Sequence, residues 1–188
     1  MKKVLISLLG LIILGGLLGC YVYSERQAER IVDVKSYVFD SARRHNIRPS
    51  LVFALIQKES NFDANARGKH QEYGLMQIRD GAADDWCRAM KNPKFRSYGK
   101  LIEPELNVEI GTWYLAKAQR RWKGYKYQDQ IALAQYNAGP GRVKEWIPKE
   151  KNGEFLPLVK IASTRDYITK ILEFEKDYLG LREEDVVK

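Results

Sequence analysis

The stretch Pro49-Ser50-Leu51-Val52-Phe53-Ala54-Leu55-Ile56-Gln57-Lys58-Glu59-Ser60 is an apolar segment that ends in a lone acid. Its proline is well placed as the first residue of a helix. Three apolar side chains, Val52, Leu55 and Ile56, lie seven, four and three residues before the acid, so in a helix they share its face. Because that face should pack inward, the pattern predicts a helix that carries the Glu59 carboxyl toward the interior.

Burial of this carboxyl would favour its protonated form, because desolvation penalises the charged form. A carboxylic acid that keeps its proton near neutral pH is what general-acid cleavage of a glycosidic bond requires. The helix alone also fits a surface acid in a frayed last turn. Both interpretations of Glu59 stay open at this point, since a perturbed acid suggests function without proving it.

Three further motifs follow along the chain. They are Gly74-Leu75-Met76-Gln77-Ile78, Ala134-Gln135-Tyr136-Asn137-Ala138-Gly139-Pro140-Gly141 and Thr164-Arg165-Asp166-Tyr167-Ile168. Each is too short to be specific by itself. Together with Glu59-Ser60, and in this order, they resemble the soluble lytic transglycosylase domain, a branch of the lysozyme-like superfamily that cuts the glycan strands of peptidoglycan. The resemblance runs from about Ile31 to about Tyr178.

The resemblance implies a mostly α, lysozyme-like domain with little β structure over residues 24–180, followed by a charged tail at 181–188. Apolar periodicity predicts five or six helices. Their expected ranges are Ile31 to Arg44, Pro49 to Ser60, Asp84 to Met90, Pro104 to Trp122, Asp129 to Asn137, and Thr164 to Tyr178. The segment from Asn61 to Tyr73 is expected to be a loop, and Asn92-Pro93 a turn.

Capping residues predict where the last two helices begin and end. Asp129 is expected to cap the first of them, and Gly139 to end it. Ser163 or Thr164 is expected to cap the last helix, since Ser163 and Asp166 have the spacing of a capping box. Gly180 is expected to end that helix.

The resemblance implies roles for particular residues. Glu59 would be the sole catalytic acid and base, and Tyr167 matches the tyrosine whose hydroxyl approaches the catalytic carboxyl in the family. The residues that would bind or position the substrate are Ser60, Gly74, Met76, Gln77, Tyr136, Asn137 and Tyr167. Three of them have simpler alternatives: Ser60 as a helix C-terminal turn, Met76 as ordinary core, and Tyr136 as packing.

The reaction that the resemblance implies explains why one carboxylate is enough. Most glycosidases use two. A lytic transglycosylase protonates the oxygen between N-acetylmuramic acid and N-acetylglucosamine and then closes a 1,6-anhydro ring with the substrate's own C6 hydroxyl. This lyase reaction needs no water nucleophile, metal or cofactor. The substrate partner would be peptidoglycan, acted on by a monomer.

The chain departs from the family pattern at several positions. Gly68 stands where the family commonly has a serine, Gln71-Glu72 stand where it has Gly-Ala, and Arg79-Asp80-Gly81 replace a frequent proline. Ser163 replaces the glutamate that often precedes Thr164. These changes affect the loop and the substrate subsites more than Glu59.

Two alternative functions stay open. The acids Glu72, Asp63 or Asp80 could activate water in a lysozyme-type muramidase on the same fold. A non-catalytic peptidoglycan-binding protein is the other alternative, although such a protein has no need of a partly buried acid.

Residues 1–23 predict a signal peptide or membrane anchor, because Lys2-Lys3 precede an apolar run from Val4 to Tyr23. The run is about long enough to span a bilayer, for which ~20 apolar residues suffice. Leu17-Leu18-Gly19-Cys20 resembles a lipobox, which would make Cys20 a lipidation site. Lipoprotein, uncleaved helix and cleaved signal all place the domain in the bacterial envelope, outside the inner membrane.

Composition is that of a globular protein, and it excludes few partners. The 188 residues are 45% hydrophobic and 30% charged, with a net charge of +8 that favours anionic surroundings. Two cysteines and two histidines have no metal-ligand spacing. The basic and aromatic run at 120–127 is interpreted as a cationic helix end and not as a nucleic-acid site, because no nucleic-acid motif accompanies it.

Overall fold

The computed structural model of the chain describes residues 2–91 and 98–186, with side chains from residue 16 onward apart from 17, 27, 32, 98, 185 and 186. Asn92-Pro93 and the last two residues of the predicted tail lie outside these ranges. Within them the chain is mostly helical, and its extended pairing is limited to isolated bridges of Tyr73 with Arg67 and Ile78. The mostly α prediction is therefore confirmed. The helices are α1 (Lys2–His45), α2 (Pro49–Ser60), α3 (Asp80–Ala89), α4 (Pro104–Arg121), α5 (Gln128–Ala138), α6 (Pro140–Lys144) and α7 (Ala162–Tyr178), with 3-10 turns at Tyr98–Ile102, Leu156–Leu158 and Glu183–Val186.

Helix α2 forms the centre of the core, since every side chain from residue 51 to 56 is fully buried. The helix begins where the sequence predicts, with Arg48 in an extended conformation before Pro49. It ends at Ser60, and the following Asn61 has a left-handed φ of 52° and an N–H that donates to the carbonyl oxygen of Gln57. Asparagine tolerates this conformation better than most residues.

Helix α7 packs along α2 and covers the end that carries the acid. Its residues Tyr167, Ile171 and Tyr178 are buried. The rings of Tyr178 and Phe53 stack with their centroids 5.4 Å apart. Such an aromatic pair stabilises the fold by about 0.5–1.5 kcal/mol beyond the contribution of its buried apolar area. Because α7 is fixed to α2 in this way, its tyrosines have defined positions relative to Glu59.

Helix α1 packs on α4 through a cluster of charges at its C-terminal end. Glu109 of α4 accepts hydrogen bonds from Ser41 at 2.8 Å and Arg44 at 2.8 Å, and lies 2.6 Å from the ring of His45. Burial opposes its charge, but these partners outweigh burial and lower the pKa of Glu109 to about 2. The cluster joins α1 to α4 through Arg44 and Glu109, which are 65 residues apart in sequence.

The predicted cap of α5 is wrong. The helix begins at Gln128, so Asp129 lies inside the first turn. Its carboxylate instead accepts a hydrogen bond from Gln119 at 2.7 Å and pairs with Arg48 at 2.8 Å. These tertiary partners take the oxygen atoms that a cap would use. Gly139 does end the helix, with a φ of 82°.

The predicted cap of α7 is also wrong. The N-cap residue is Ile161, so Ser163 and Thr164 lie in the first turn. The hydroxyl of Thr164 donates to Asn137 of α5 at 2.9 Å and is therefore used between helices. The helix ends at Tyr178, two residues before the predicted Gly180.

The basic run at 120–127 is a helix end, as the sequence predicts. Arg120 and Arg121 occupy the last turn of α4. Gly124 turns the chain with a φ of 91°. Cations are favoured at the C-terminal end of a helix, so this run needs no polyanionic partner to explain it.

Most of the predicted anchor lies outside the described side chains. The backbone of α1 is continuous from Lys2, and Cys20 is exposed. In the part of the chain that the structure describes, no helix has the length and apolar character needed to cross a membrane.

We expect Glu109→Gln to lower the free energy of unfolding by about 2 kcal/mol near pH 7. The carboxyl has a pKa near 2 in the folded protein against 4.5 ordinarily, so its stabilisation is present above 4.5 and is lost as the pH falls toward 2. Urea unfolding across this pH range measures the difference. The exposed Glu173→Gln is the control, and a penalty for Glu109→Gln that does not shrink with falling pH would contradict the electrostatic origin.

Candidate active site

Glu59 lies in the last turn of α2 and is the acid that the sequence singles out. The residue is half-buried, so it can still be reached from solvent. The hydroxyl of Tyr167 on α7 donates a hydrogen bond to its Oε1 at 2.5 Å. Two helices that are distant in sequence thus meet at this carboxyl.

Burial raises the pKa of Glu59 to about 7. The negative charge of Glu72 raises it further, whereas the hydrogen bond from Tyr167 and the charge of Lys58 oppose the rise. Because desolvation outweighs the opposing contacts, Glu59 holds a proton at neutral pH much more readily than a surface glutamate. Such a group can both give and take a proton near pH 7.

Tyr167 serves this carboxyl as a hydrogen-bond donor. Its side chain is buried, and burial, followed by the charge of Glu59, raises its pKa well above the ordinary value. The phenol therefore stays protonated and donates. The Nζ of Lys58 lies 5.5 Å from the centre of the Tyr167 ring.

Ser60 ties the end of α2 to the Gly74–Ile78 loop. Its hydroxyl lies 2.8 Å from the carbonyl oxygen of Leu75 and 3.2 Å from that of Ile56. The shorter contact joins helix to loop, and the longer one is the helix C-terminal turn that sequence analysis offered as the alternative. Ser60 therefore positions the loop beside Glu59.

Asn107 on α4 holds the same loop from the other side, and sequence analysis missed it. The residue is fully buried. Its Oδ1 accepts from the N–H of Met76 at 2.7 Å, and its Nδ2 donates to the carbonyls of Tyr73 at 2.7 Å and Leu101 at 2.5 Å. The position of Asn107 inside an otherwise apolar helical stripe could have indicated its role, because a buried amide needs hydrogen-bond partners.

Gly74 is required by the approach of this asparagine. Its φ is +74°, and a Cβ there would lie 2.5 Å from Nδ2 of Asn107. The structure thus explains Gly74 by the close approach of a neighbouring helix.

Met76 has a fully buried side chain, so it packs in the core and does not form the cleft wall. A Cβ on Gly111 of α4 would lie 2.5 Å from its sulfur, which means that the thioether rests directly on this glycine. The hydroxyl of Tyr136 donates to the Met76 carbonyl oxygen at 2.8 Å. Tyr136 therefore fixes the backbone of the loop while one side of its ring faces the cleft.

A cavity of about 550 Å³ lies along this loop and the C-terminal end of α5. Gln77, Tyr136 and Asn137 all line it, so the structure brings these three predicted residues together. The charge of Glu59, after burial, raises the pKa of Tyr136, although Glu59 itself is not among the residues that line the cavity. The other lining residues are His70, Gln71, Ile78, Arg79, Asp80, Gly81, Ala82, Tyr114, Ala138, Gly139 and Arg142.

Two amides in the cavity wall have fixed orientations. Nε2 of Gln77 donates to the carbonyl oxygens of Gly74 at 2.9 Å and Ala66 at 3.2 Å. Oδ1 of Asn137 accepts from Thr164 at 2.9 Å. Amides held in this way suit recognition of hydroxyl or acetamido groups. No group of histidine, cysteine and acidic residues in the described part of the chain could hold a metal ion.

A mostly helical fold whose buried central helix ends in a proton-holding glutamic acid beside a polar cleft defines a lysozyme-like domain. The chain belongs to the family described as the transglycosylase SLT domain, which it matches over residues 36–158.

Similar proteins carry related names. The soluble lytic murein transglycosylase of Salmonella typhimurium is 31% identical over 140 residues, covering 72% of this chain and 21% of the relative. The membrane-bound lytic murein transglycosylase C of Yersinia pestis is 31% identical over 119 residues, covering 60% and 33%. The structure of an inactive glutamate-to-glutamine mutant of lytic transglycosylase Slt from Pseudomonas aeruginosa has a TM-score of 0.69 and 28% identity, covering 77% and 23%. The chain thus spans between a fifth and a third of the length of these relatives.

We expect Asn107→Leu to lower the free energy of unfolding by about 2–3 kcal/mol, because the buried Met76 N–H and two carbonyl oxygens would lose their partners. Urea unfolding measures this loss. Asn65→Ala, at an exposed loop position, should change stability by less than about 0.5 kcal/mol. A variant at 107 as stable as this control would show that the loop does not depend on Asn107.

Proposed function

We propose that this chain is a peptidoglycan lytic transglycosylase that cleaves the β-1,4 bond between N-acetylmuramic acid and N-acetylglucosamine. The observation that carries the proposal is the raised pKa of Glu59, about 7, in a half-buried carboxyl that accepts a hydrogen bond from Tyr167. General-acid cleavage needs such a proton donor.

In the first step Glu59 gives its proton to the glycosidic oxygen, and the bond from that oxygen to the anomeric carbon breaks. The N-acetyl group of the substrate stabilises the positive charge at that carbon. In the second step the Glu59 carboxylate takes the proton of the C6 hydroxyl while O6 bonds the anomeric carbon. The products are a 1,6-anhydro-muramyl end and a free 4-hydroxyl, and Glu59 regains its proton.

The remaining residues divide into substrate contacts and supports. Gln77 and Asn137 line the cavity and would bond sugar hydroxyl or acetamido groups. Tyr136 supplies an aromatic ring to the same wall. Ser60, Gly74 and Met76 would act through the loop backbone that they hold in place, and Tyr167 would orient the carboxyl of Glu59.

The comparisons support this proposal through the names of the relatives. Soluble and membrane-bound lytic murein transglycosylases are both among the similar proteins. One solved relative is described as inactive after a change of glutamate to glutamine, which is the change that would remove the proton donor proposed for this chain.

The location proposed for the domain is the bacterial cell envelope, held at the membrane by the N-terminal segment. Leu18, Tyr21 and Tyr23 are about 60% exposed on α1. Contact with lipid, either as an uncleaved helix or beside a lipidated Cys20, would cover them.

We expect wild-type protein to release peptidoglycan fragments with anhydromuramyl ends, one water lighter than reducing ends in mass spectrometry. Finding reducing ends alone would favour the muramidase. Glu59→Gln should abolish release because the amide cannot donate the proton, and continued cleavage at the wild-type rate would remove Glu59 from the mechanism.

Glu59→Gln also has a predicted effect on stability, which serves as its folding control. The wild-type carboxyl has a pKa near 7 when folded against 4.5 ordinarily, so ionisation destabilises the fold as the pH rises through this interval. The variant should be more stable than wild type by about 2 kcal/mol near pH 8 and nearly equal to it near pH 5.

The pH dependence of kcat/KM should fall above about pH 7, where Glu59 loses its proton. Tyr167→Phe should move this falling limb to higher pH, because the hydrogen bond from Tyr167 opposes the rise in the pKa of Glu59. The rate should drop about 10- to 100-fold with the loss of orientation. A limb that stays at the wild-type pH would show that the phenol does not act on Glu59.

A further inference from the structure

Glu72 is a second carboxylate in the loop that precedes Gly74, and the mechanism proposed above does not use it. Its Oε2 accepts a hydrogen bond from the backbone N–H of His70 at 2.8 Å. Its Oε1 lies 3.7 Å from Nε of Arg79, and the side chain is 20% exposed. A donor and a cation therefore hold this carboxylate in one place.

Gly68 makes room for the carboxylate. A Cβ on residue 68 would collide with the Glu72 carboxylate and would lie 2.8 Å from Oε1 of Gln77. Glu72 and Gln77 thus converge on one point, and Gln77 lines the cavity, as do His70 and Arg79, which contact the Glu72 carboxylate. Gly68 therefore leaves the space that the Glu72 carboxylate occupies beside Gln77, a residue of the cavity wall.

The charge of Glu72 reaches Glu59. Among the groups that face Glu59, Lys58 comes from its own helix, Tyr136 from α5 and Tyr167 from α7, and Glu72 from the loop. After burial, the charge of Glu72 adds to the rise in the pKa of Glu59. Two carboxyls in one site can divide acid and charge-stabilising roles between them.

We propose that Glu72 is a second functional carboxylate of this cleft, whose negative charge stabilises the positive charge that develops on the sugar ring as Glu59 protonates the leaving oxygen. The inference rests on the proposed function and adds a participant to it. Glu72 forms no bond and takes no proton, so the atoms and electrons balance as in the two steps above.

The first test is Glu72→Gln, which keeps the shape and an oxygen acceptor for His70 but removes the charge. We expect kcat to fall about tenfold with little change in KM, less than the ~100-fold or more for a donor in direct contact with the reacting atoms. The falling limb of the pH profile should move to lower pH, opposite to the effect of Tyr167→Phe. Glu105→Gln removes an equally negative but exposed group at the start of α4 and should change neither quantity.

A carboxyl NMR titration of Glu59 without substrate separates this inference from the proposed function. Glu72→Gln should lower the midpoint of Glu59 whether or not the protein cuts glycan. An unchanged midpoint together with a wild-type kcat would overturn the role of Glu72, even if anhydromuramyl ends are found. A lowered midpoint with reducing ends alone would instead keep the coupling and overturn the transglycosylase assignment.

The placement of the carboxylate is tested by Gly68→Ala. The added methyl group should push Glu72 out of position, so the variant should lose activity about as Glu72→Gln does. Combined with Glu72→Gln, it should cost little more, because both changes remove the same interaction. Losses that multiply in the double variant would show that the two residues act at separate places. Urea unfolding of all variants checks that each one is folded.

Discussion

The burial of α2 is the constraint on which the rest of this domain depends. A helix whose side chains from 51 to 56 have no exposure must be covered on all sides. Helices α1 and α7 pack directly on α2, and α5 packs on α7. The acid at its last turn is therefore drawn to the edge of the core. The same packing that stabilises the fold thus creates the desolvation that raises the pKa of Glu59.

The loop beside Glu59 has little regular structure of its own and is held by side chains from other elements. Asn107 contributes two hydrogen bonds to it from α4, Tyr136 one from α5 and Ser60 one from the end of α2. Each contact uses a backbone group of the loop, which would otherwise lack a partner in the interior. Three helices therefore set the distance between the cavity wall and the acid.

Opposing electrostatic contributions meet at Glu59. Burial and the charge of Glu72 favour its proton, whereas Tyr167 and Lys58 favour its charge. A pKa near 7 is the balance of these contributions, and in the proposed mechanism it would let Glu59 serve as acid and then as base. A single proton-transferring carboxyl would then be sufficient, with Glu72 proposed to act only through its charge.

The sequence by itself determined the helical class, the central helix from Pro49 to Ser60 and the acid at its end, because periodic apolar residues and a leading proline are local signals. It did not determine the contacts of Asn107, the burial of Met76 or the fit of Glu72 over Gly68, since these depend on residues brought together from distant positions. The predicted caps at Asp129 and at Ser163 or Thr164 were wrong. Asp129 and Thr164 instead bond side chains from elsewhere in the fold, and only the folded chain decides which partner a polar side chain meets.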